Sequence, residues 1–175
     1  EVAEIEKAVN VSGQMHVAVM KAARPGQTEA QMMALAESIA KAANYELAYG
    51  AIVTINGQTL HNESYHNTLK EGQLLLMDMG AETEMGYAGD ITRTLPVSSR
   101  FTPQQRDIYQ IVLETEVGAI QASNPGVPYK DVHLGAALRI AEGLKSLGLM
   151  QGNMKDAVEA GAHALFFPHG LGHMM

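Results

Sequence analysis

The apolar residues near the start of the chain recur every three or four positions. This stripe comprises Val2, Ile5, Val9, Val17 and Met20, with Gly13 at the same spacing between Val9 and Val17. Such spacing is typical of an amphipathic helix, which we predict over residues 2–23. A second helix is predicted from Glu29 to about Ala43, because Thr28 followed by Gln31 three residues later forms a capping-box pattern.

The next part of the chain changes to β-branched and aromatic residues. Residues 46–62 are rich in Val, Ile, Thr and Tyr and contain an Asn-Gly pair at 56–57, which predicts a strand, a turn and a short strand. Four apolar residues then run directly into Asp78, so residues 74–79 are predicted to form a buried strand. Residues 87–97 are rich in threonine and are predicted to form a further strand.

The second half of the chain is predicted to be mostly helical. Thr102, with Pro103 next and Gln105 at the third helical position, predicts a helix start, and that helix is expected to run to about Ala122. The remaining predicted elements are a fourth helix over 132–147, a short helix near 154–161, and a strand-like segment within 163–173 that glycines loosen. This order predicts one α+β domain over residues 1–175, with helices covering one face of a curved, mostly antiparallel sheet.

Composition narrows the possible functions. The chain has 175 residues, of which 46% are hydrophobic and 18% charged, and its formal net charge of -7 comes without any run of basic residues. This argues against nucleic acid or an anionic membrane as a partner. No apolar run approaches the roughly 18 residues of a membrane span. There is no cysteine, so any bound metal must be held by oxygen and imidazole ligands.

The candidate chemistry lies in two carboxylates and a pair of histidines. Asp78 ends an apolar strand and Asp90 follows a glycine-containing approach, and a desolvated carboxylate is costly unless it is paired, hydrogen-bonded or bound to a metal. An ordinary turn acid at Asp90 is the alternative. His169 and His173 are four residues apart, as in helical zinc sites, but the glycines between them argue against a helix. His61 alone is more often a structural residue than a functional one.

The remaining histidines carry no pattern of their own. They are His16, His66, His133 and His163, and we treat them as background. The eleven methionines are interpreted as core residues rather than as ligands of a soft metal.

Three stretches together resemble a known family. They are "LLLMDMGAETEMGYAGDITRTLPV", "FTPQQRDIYQIVLE" and "FPHGLGH". They are similar to the pita-bread metallopeptidases of the M24 type, specifically the group of Xaa-Pro aminopeptidases (aminopeptidase P) and prolidases, and the resemblance covers essentially all of the chain. It implies the pita-bread fold and a metal-dependent aminopeptidase that releases the N-terminal residue from Xaa-Pro peptides.

The resemblance also implies roles for individual residues. Asp78, Asp90 and His173 would be metal ligands, with Asp90 bridging two divalent ions, and His169 and His61 would face the substrate or the reaction intermediate. Manganese is the expected metal, with cobalt, zinc or iron as alternatives. A hydroxide bridging the ions would be the nucleophile. The implied partners are a peptide with proline at its second position and further copies of the chain as a homo-oligomer; nucleic acid and membrane are not expected.

The sequence departs from the family pattern in two respects. The spacing of twelve residues between Asp78 and Asp90 is one longer than expected for the family, which predicts a bulged hairpin tip. The family completes its site with two glutamates after the motif at 169–173, and these are not in the sequence, nor is the family's N-terminal domain. We therefore expect a truncated catalytic domain that is inactive by itself, from a protein of the cytoplasm.

Several alternatives stay open at this point. Prolidase activity on Xaa-Pro dipeptides is the nearest one, whereas methionine aminopeptidase fits the "GYAGDITRTLPV" stretch less well. The same fold also serves non-catalytic peptide- or histone-binding modules and the metal-free creatinase, in which the ligand positions are typically replaced. Retention of all three of Asp78, Asp90 and His173 favours the enzyme.

Overall fold

The computed structural model describes residues 1–173 and divides the chain into two compact units, one from Glu1 to Phe101 and one that begins at Thr102. Compact units can belong to one domain, so the single domain over residues 1–175 stays a prediction. The mixture of helices and antiparallel strands confirms the α+β class. Within residues 1–173, no helix combines the length and the apolarity needed to cross a bilayer.

The first unit begins with the two predicted helices. Helix α1 spans Val2–Ala22 and helix α2 spans Glu29–Ala42. The predicted capping box is present at the start of α2, because Gln31 N–H donates to Thr28 Oγ1 (3.2 Å) while Thr28 N–H donates to Gln31 Oε1 (2.9 Å). Both hydrogen bonds pair backbone donors that a helix start would otherwise leave unpaired.

Five short strands complete the first unit. They are β1 (Glu46–Leu47), β2 (Ile52–Thr54), β3 (Leu74–Met79), β4 (Ala81–Glu82) and β5 (Ile91–Pro96). Strand β3 lies between β2 and β5 in a three-stranded antiparallel sheet, and β1 pairs antiparallel with β4. The bounds of β3 are those predicted, and the antiparallel pairing of β3 with β5 places Asp78 opposite Thr92.

Strand β3 separates the core from the face that carries chemistry. Its buried residues alternate with half-buried ones, because successive side chains of a strand point to opposite faces. Leu75, Met77 and Met79 are fully buried and pack with residues of both helices. Asp78 therefore lies on the other face, where it is half-buried. The predicted buried strand is fully buried on one face and half-buried on the other.

Two strand predictions in the first unit were wrong. No strand follows Asn56 and Gly57; residues 55–73 form turns and one isolated bridge at Thr68, because their backbone bonds to side chains rather than to a neighbouring strand. The strand predicted over 87–97 begins only at Ile91, since the preceding residues belong to the turn of the hairpin that β4 opens. Asp90 thus precedes β5 instead of lying within it.

The second unit is helical within the residues that the structure describes. It contains α3 (Pro103–Ala122), α4 (Tyr129–Ser146), α5 (Met154–Glu159) and one turn of 3-10 helix (Ala162–Leu165). The capping box of Thr102 and Gln105 is present as predicted. The strand-like segment predicted within 163–173 was wrong: the His163 carbonyl accepts from Phe166 and Phe167 N–H, which coils the backbone into a turn.

Candidate metal centre

The carboxylates of Asp78 and Asp90 meet at one phenol. The hydroxyl oxygen of Tyr49 lies 2.8 Å from Oδ1 of Asp78 and 2.8 Å from Oδ1 of Asp90. Asp78 is half-buried and Asp90 is exposed, so the pair lies at the edge of the sheet face opposite the helices. The carboxylates of Asp78 and Asp90 thus lie close together, as expected if a hairpin connects them.

The single proton of the Tyr49 phenol is shared between the two carboxylates. A phenol carries one proton and can donate it to one carboxylate at a time, yet two carboxylate oxygens lie within hydrogen-bonding distance. Burial in the first place, and then the two carboxylates, raise the pKa of Tyr49 far above its ordinary value, so the phenol keeps its proton. Carboxylate oxygens are hard donors of the kind that divalent cations prefer. The two aspartates therefore fit a metal ion.

Two glycines bring the strands close enough for this convergence. A Cβ atom on Gly80 would lie 1.6 Å from the carbonyl oxygen of Gly89. No side chain fits there, so the backbone after Asp78 and the backbone before Asp90 can come this close only because residues 80 and 89 are glycines. The hairpin stem beyond them is closed by a hydrogen bond from Gly89 N–H to the Ala81 carbonyl (2.9 Å).

The tip of the hairpin is a tight turn. Gly86 N–H donates to the Thr83 carbonyl and Thr83 N–H donates to the Tyr87 carbonyl, each at 2.9 Å. Gly86 has φ +78, a conformation that glycine adopts at no steric cost. Met85 is 69% exposed at the tip, so this turn has room for an additional residue. That the hairpin is one residue longer than is usual in the family stays a prediction.

Helix α1 holds the hairpin stem through a buried serine. Ser12 is fully buried; its hydroxyl donates to the Ala8 carbonyl (2.8 Å) and accepts from Ala81 N–H (2.9 Å). A Cβ on Gly89 would lie 2.5 Å from the same hydroxyl. Ser12 thus joins the helix to the turn that leads into Asp90.

A buried histidine of α1 contacts the end of β3, at the residue that follows Asp78. His16 is 3% exposed, and its Nε2 lies 3.3 Å from the carbonyl oxygen of Met79. A carbonyl only accepts, so Nε2 carries the proton and the buried Nδ1, which has no hydrogen-bond partner, is the unprotonated nitrogen. Burial lowers the pKa of His16, with smaller opposing contributions from the carbonyl oxygens of Met79 and Ile91. The side chain is therefore neutral at physiological pH.

The predicted substrate-facing histidines lie in different units. His61 belongs to the first unit; it is exposed, and its φ of +53 is in the left-handed region that residues with a side chain seldom adopt. His169 and His173 belong to the second unit and are both exposed. His169 Nδ1 lies 2.8 Å from the Gly170 carbonyl, and its ring packs edge-on against Phe167 with the centroids 4.9 Å apart.

No three histidine, aspartate or glutamate side chains among residues 1–173 form a group that could hold a metal ion by itself. The part of the candidate centre that the structure brings together is the pair Asp78 and Asp90. The roles of His173 as a ligand and of His61 and His169 toward the substrate stay predictions.

Comparison with known proteins identifies the family. The pattern of the metallopeptidase family M24 matches residues 3–175, nearly the whole chain. The chain belongs to metallopeptidase family M24. A probable Xaa-Pro aminopeptidase of Botryotinia fuckeliana is 41% identical over 179 residues, which cover 100% of this chain and 39% of that protein.

Solved structures of aminopeptidases have the same fold. Aminopeptidase PepP of Pseudomonas aeruginosa matches with a TM-score of 0.95 at 35% identity, over 99% of this chain and 40% of that one. A variant of Escherichia coli aminopeptidase P in complex with substrate matches with a TM-score of 0.94 at 33% identity, over 98% and 39%. The predicted pita-bread fold is thus confirmed. This M24 chain spans about two fifths of the length of these relatives.

Three residues of the M24 site region were missed by reasoning from the sequence. Tyr49 lies 29 residues before Asp78 and 41 before Asp90, and no spacing pattern marks it. Ser12 and His16 did leave a signal, because they are polar residues four apart on the buried face of α1. A polar pair on an otherwise apolar stripe indicates buried hydrogen bonds, which is what the structure provides.

Proposed function

We propose that the protein containing this chain is a divalent-metal-dependent aminopeptidase that releases the N-terminal residue of peptides with proline at the second position. The observation that carries the proposal is the convergence of Asp78 and Asp90 on the Tyr49 phenol in a chain of family M24. The names of its relatives support the substrate class. Because the chain spans only 39% of the first of these relatives, the activity is proposed for the whole protein.

Asp78, Asp90 and His173 are the residues of this chain that we propose as metal ligands, with manganese as the expected metal and cobalt, zinc or iron as alternatives. A zinc-substituted aminopeptidase P is among the similar structures. Two carboxylates and an imidazole are a donor set that these ions accept. When bound, such ions polarise the scissile carbonyl and activate water.

The chain's own residues prepare the site for this chemistry. The Tyr49 hydroxyl lies 2.8 Å from Oδ1 of both Asp78 and Asp90. The close approach of Gly80 to Gly89 fixes the backbone that carries the two aspartates. Holding ligands in place before the reaction removes the cost of ordering them during it.

His169 and His61 are proposed to contact the substrate. Because the Gly170 carbonyl accepts a hydrogen bond, the proton of neutral His169 is on Nδ1 and its Nε2 is an acceptor. A protonated His169 would instead present Nε2–H as a donor to an oxygen that gains negative charge. The Phe167 ring packs edge-on against the His169 ring.

The experiment uses the full-length protein and three substrates: a tripeptide with proline at the second position, an Xaa-Pro dipeptide, and the same tripeptide with alanine in place of proline. We expect metal-dependent hydrolysis of the first only, lost with a chelator and restored by Mn²⁺. Preferential hydrolysis of the dipeptide would identify a prolidase instead. Peptide binding without hydrolysis in the presence of each of the four metals would identify a non-catalytic module and contradict the proposal.

A further inference from the structure

A buried glutamate organises the loop that carries His61. Glu29, the first residue of α2, has no exposed surface, and both of its oxygens are fully used. Oε1 accepts from the Thr54 hydroxyl (3.0 Å) and from Ile55 N–H (2.8 Å), and Oε2 accepts from Asn67 N–H (3.0 Å) and from the Asn67 amide (2.9 Å). The carboxylate thus fastens both ends of the segment between β2 and Asn67.

Thr54, the last residue of β2, extends this network into the loop. Its hydroxyl is fully buried and gives its one proton to Glu29, so its lone pairs are available to other donors. Asn56 N–H donates to Thr54 Oγ1 at 3.0 Å, and the side-chain amide of Asn62 approaches it at 3.5 Å. The direction of the hydroxyl proton is therefore set by the carboxylate, and the loop contacts follow from it.

Asn62 is the residue that directly follows His61, and its side chain has two contacts. Its Oδ1 accepts from Ser64 N–H (3.1 Å), while its Nδ2 faces Thr54. His61 itself has a left-handed backbone with φ +53. A residue with a side chain keeps such a conformation only where neighbouring contacts hold it.

We propose that Glu29, Thr54 and Asn62 are positioning residues that set the backbone of His61 and thereby present its imidazole to the substrate. The proposal rests on the proposed function for the role of His61. Its structural basis does not depend on the proposed function, because the hydrogen bonds of Glu29, Thr54 and Asn62 are observed within the first unit. The three residues act through His61 and do not themselves contact the substrate.

The test compares Thr54→Val with Thr54→Ser in the full-length protein. Valine keeps the shape and the strand preference of threonine but removes the hydroxyl, whereas serine retains it. Val53→Ala is the matched control, because Val53 is the neighbouring, fully buried residue of β2 and belongs to the core instead of the network. Two measurements are made: hydrogen–deuterium exchange of peptides covering residues 56–66, and kinetics with an Xaa-Pro tripeptide.

We expect Thr54→Val to speed hydrogen–deuterium exchange across residues 56–66 and to lower kcat/KM by about ten- to a hundred-fold. The loss should fall on the same parameter, kcat or KM, that His61→Ala changes. Thr54→Ser should restore both. In a His61→Ala background, Thr54→Val should change kcat/KM less than about two-fold, because Thr54 acts on the substrate only through His61. Val53→Ala should lower thermal stability without changing kcat/KM of the folded protein.

Additive effects of Thr54→Val and His61→Ala, or unchanged exchange in Thr54→Val, would overturn the proposal. So would Val53→Ala reproducing the kinetic change, because the effect would then be one of general stability. A failure of the unmodified protein to hydrolyse any Xaa-Pro peptide would contradict the proposed function instead, and the exchange measurement would still decide whether the network holds the loop.

Discussion

Gly80 and Gly89 are in backbone contact, so close that a Cβ on Gly80 would lie 1.6 Å from the Gly89 carbonyl oxygen and 3.3 Å from Asp90 N. This contact joins the residue after the end of β3 to the residue that directly precedes Asp90. The position of Asp90 relative to Asp78 therefore depends on the absence of side chains at Gly80 and Gly89.

Gly80→Ala should remove metal binding and destabilise the first unit, because the new methyl group forces the two backbones apart. We expect a loss of at least about 3 kcal/mol in the free energy of unfolding, the upper end for an overpacked site. Chemical denaturation and Mn²⁺ titration measure the two effects. Gly13→Ala is the matched control: its Cβ would meet nothing within 4 Å, and alanine in a helix should stabilise by about 0.5–1 kcal/mol. Unchanged metal binding in Gly80→Ala would disprove the role of the close approach.

Asp90→Asn should lower the rate of hydrolysis of an Xaa-Pro tripeptide by more than about 100-fold. Loss of a residue that only supports a metal ligand lowers activity by about 10- to 100-fold, so a larger loss indicates a ligand. Asparagine still accepts from Tyr49 but carries no negative charge for the cation. The far-UV spectrum and the thermal midpoint should stay close to those of the unmodified protein. Asp107→Asn, which removes an exposed acid whose ion pair with Arg106 is 3.6 Å long, should retain full activity. Retained activity in Asp90→Asn, with unchanged metal stoichiometry, would exclude it as a ligand.

Tyr49→Phe should destabilise the metal-free protein and increase the stabilisation that Mn²⁺ provides. Phenylalanine removes the phenol that donates to the two carboxylates. A hydrogen bond to a charged group contributes about 1.5–3 kcal/mol to the free energy of unfolding. Because Asp90 is exposed, we expect a loss of only about 1 kcal/mol. The shift in thermal midpoint on adding Mn²⁺ measures the second effect. Tyr45→Phe, at another half-buried tyrosine of the first unit, serves as the control. An equal Mn²⁺ shift in Tyr49→Phe and the unmodified protein would show that the phenol does not support the pair.

His16 should make the first unit less stable in mild acid. Burial lowers the folded-state pKa of His16 below its ordinary value of 6.5. Above pH 6.5 neither state is protonated; below it, the unfolded chain gains a proton that the folded state does not. The free energy of unfolding should therefore fall as the pH drops, with a slope of at most about 1.4 kcal/mol per pH unit, until the folded state also protonates.

Urea unfolding of the unmodified protein and of His16→Gln, between about pH 7.5 and 5, measures this slope. Glutamine stays neutral and keeps a donor for the Met79 carbonyl. The slope should be smaller in His16→Gln, and the difference between the two curves isolates the histidine from the carboxylates that also titrate in acid. Parallel curves would contradict the prediction.

The sequence by itself determined the local elements of this protein. The capping boxes at Thr28 and Thr102 and the bounds of β3 follow from residues within one or two turns of each other, so their physical cause is contained in a short stretch. It also determined which residue types could bind a metal, since without cysteine only carboxylates and imidazoles are available. The motifs that resemble M24 enzymes drew attention to Asp78 and Asp90.

Only the tertiary structure decided what surrounds those acids. Tyr49, Ser12 and His16 contact the region of Asp78 and Asp90 across separations of 29 to 69 residues, and no periodic pattern encodes such contacts. A short strand was predicted after the Asn-Gly pair at 56–57, because that pair is a local turn signal. The buried carboxylate of Glu29 instead accepts from Ile55 N–H and Asn67 N–H, and a distant acceptor that satisfies part-buried N–H groups outweighs a local turn preference.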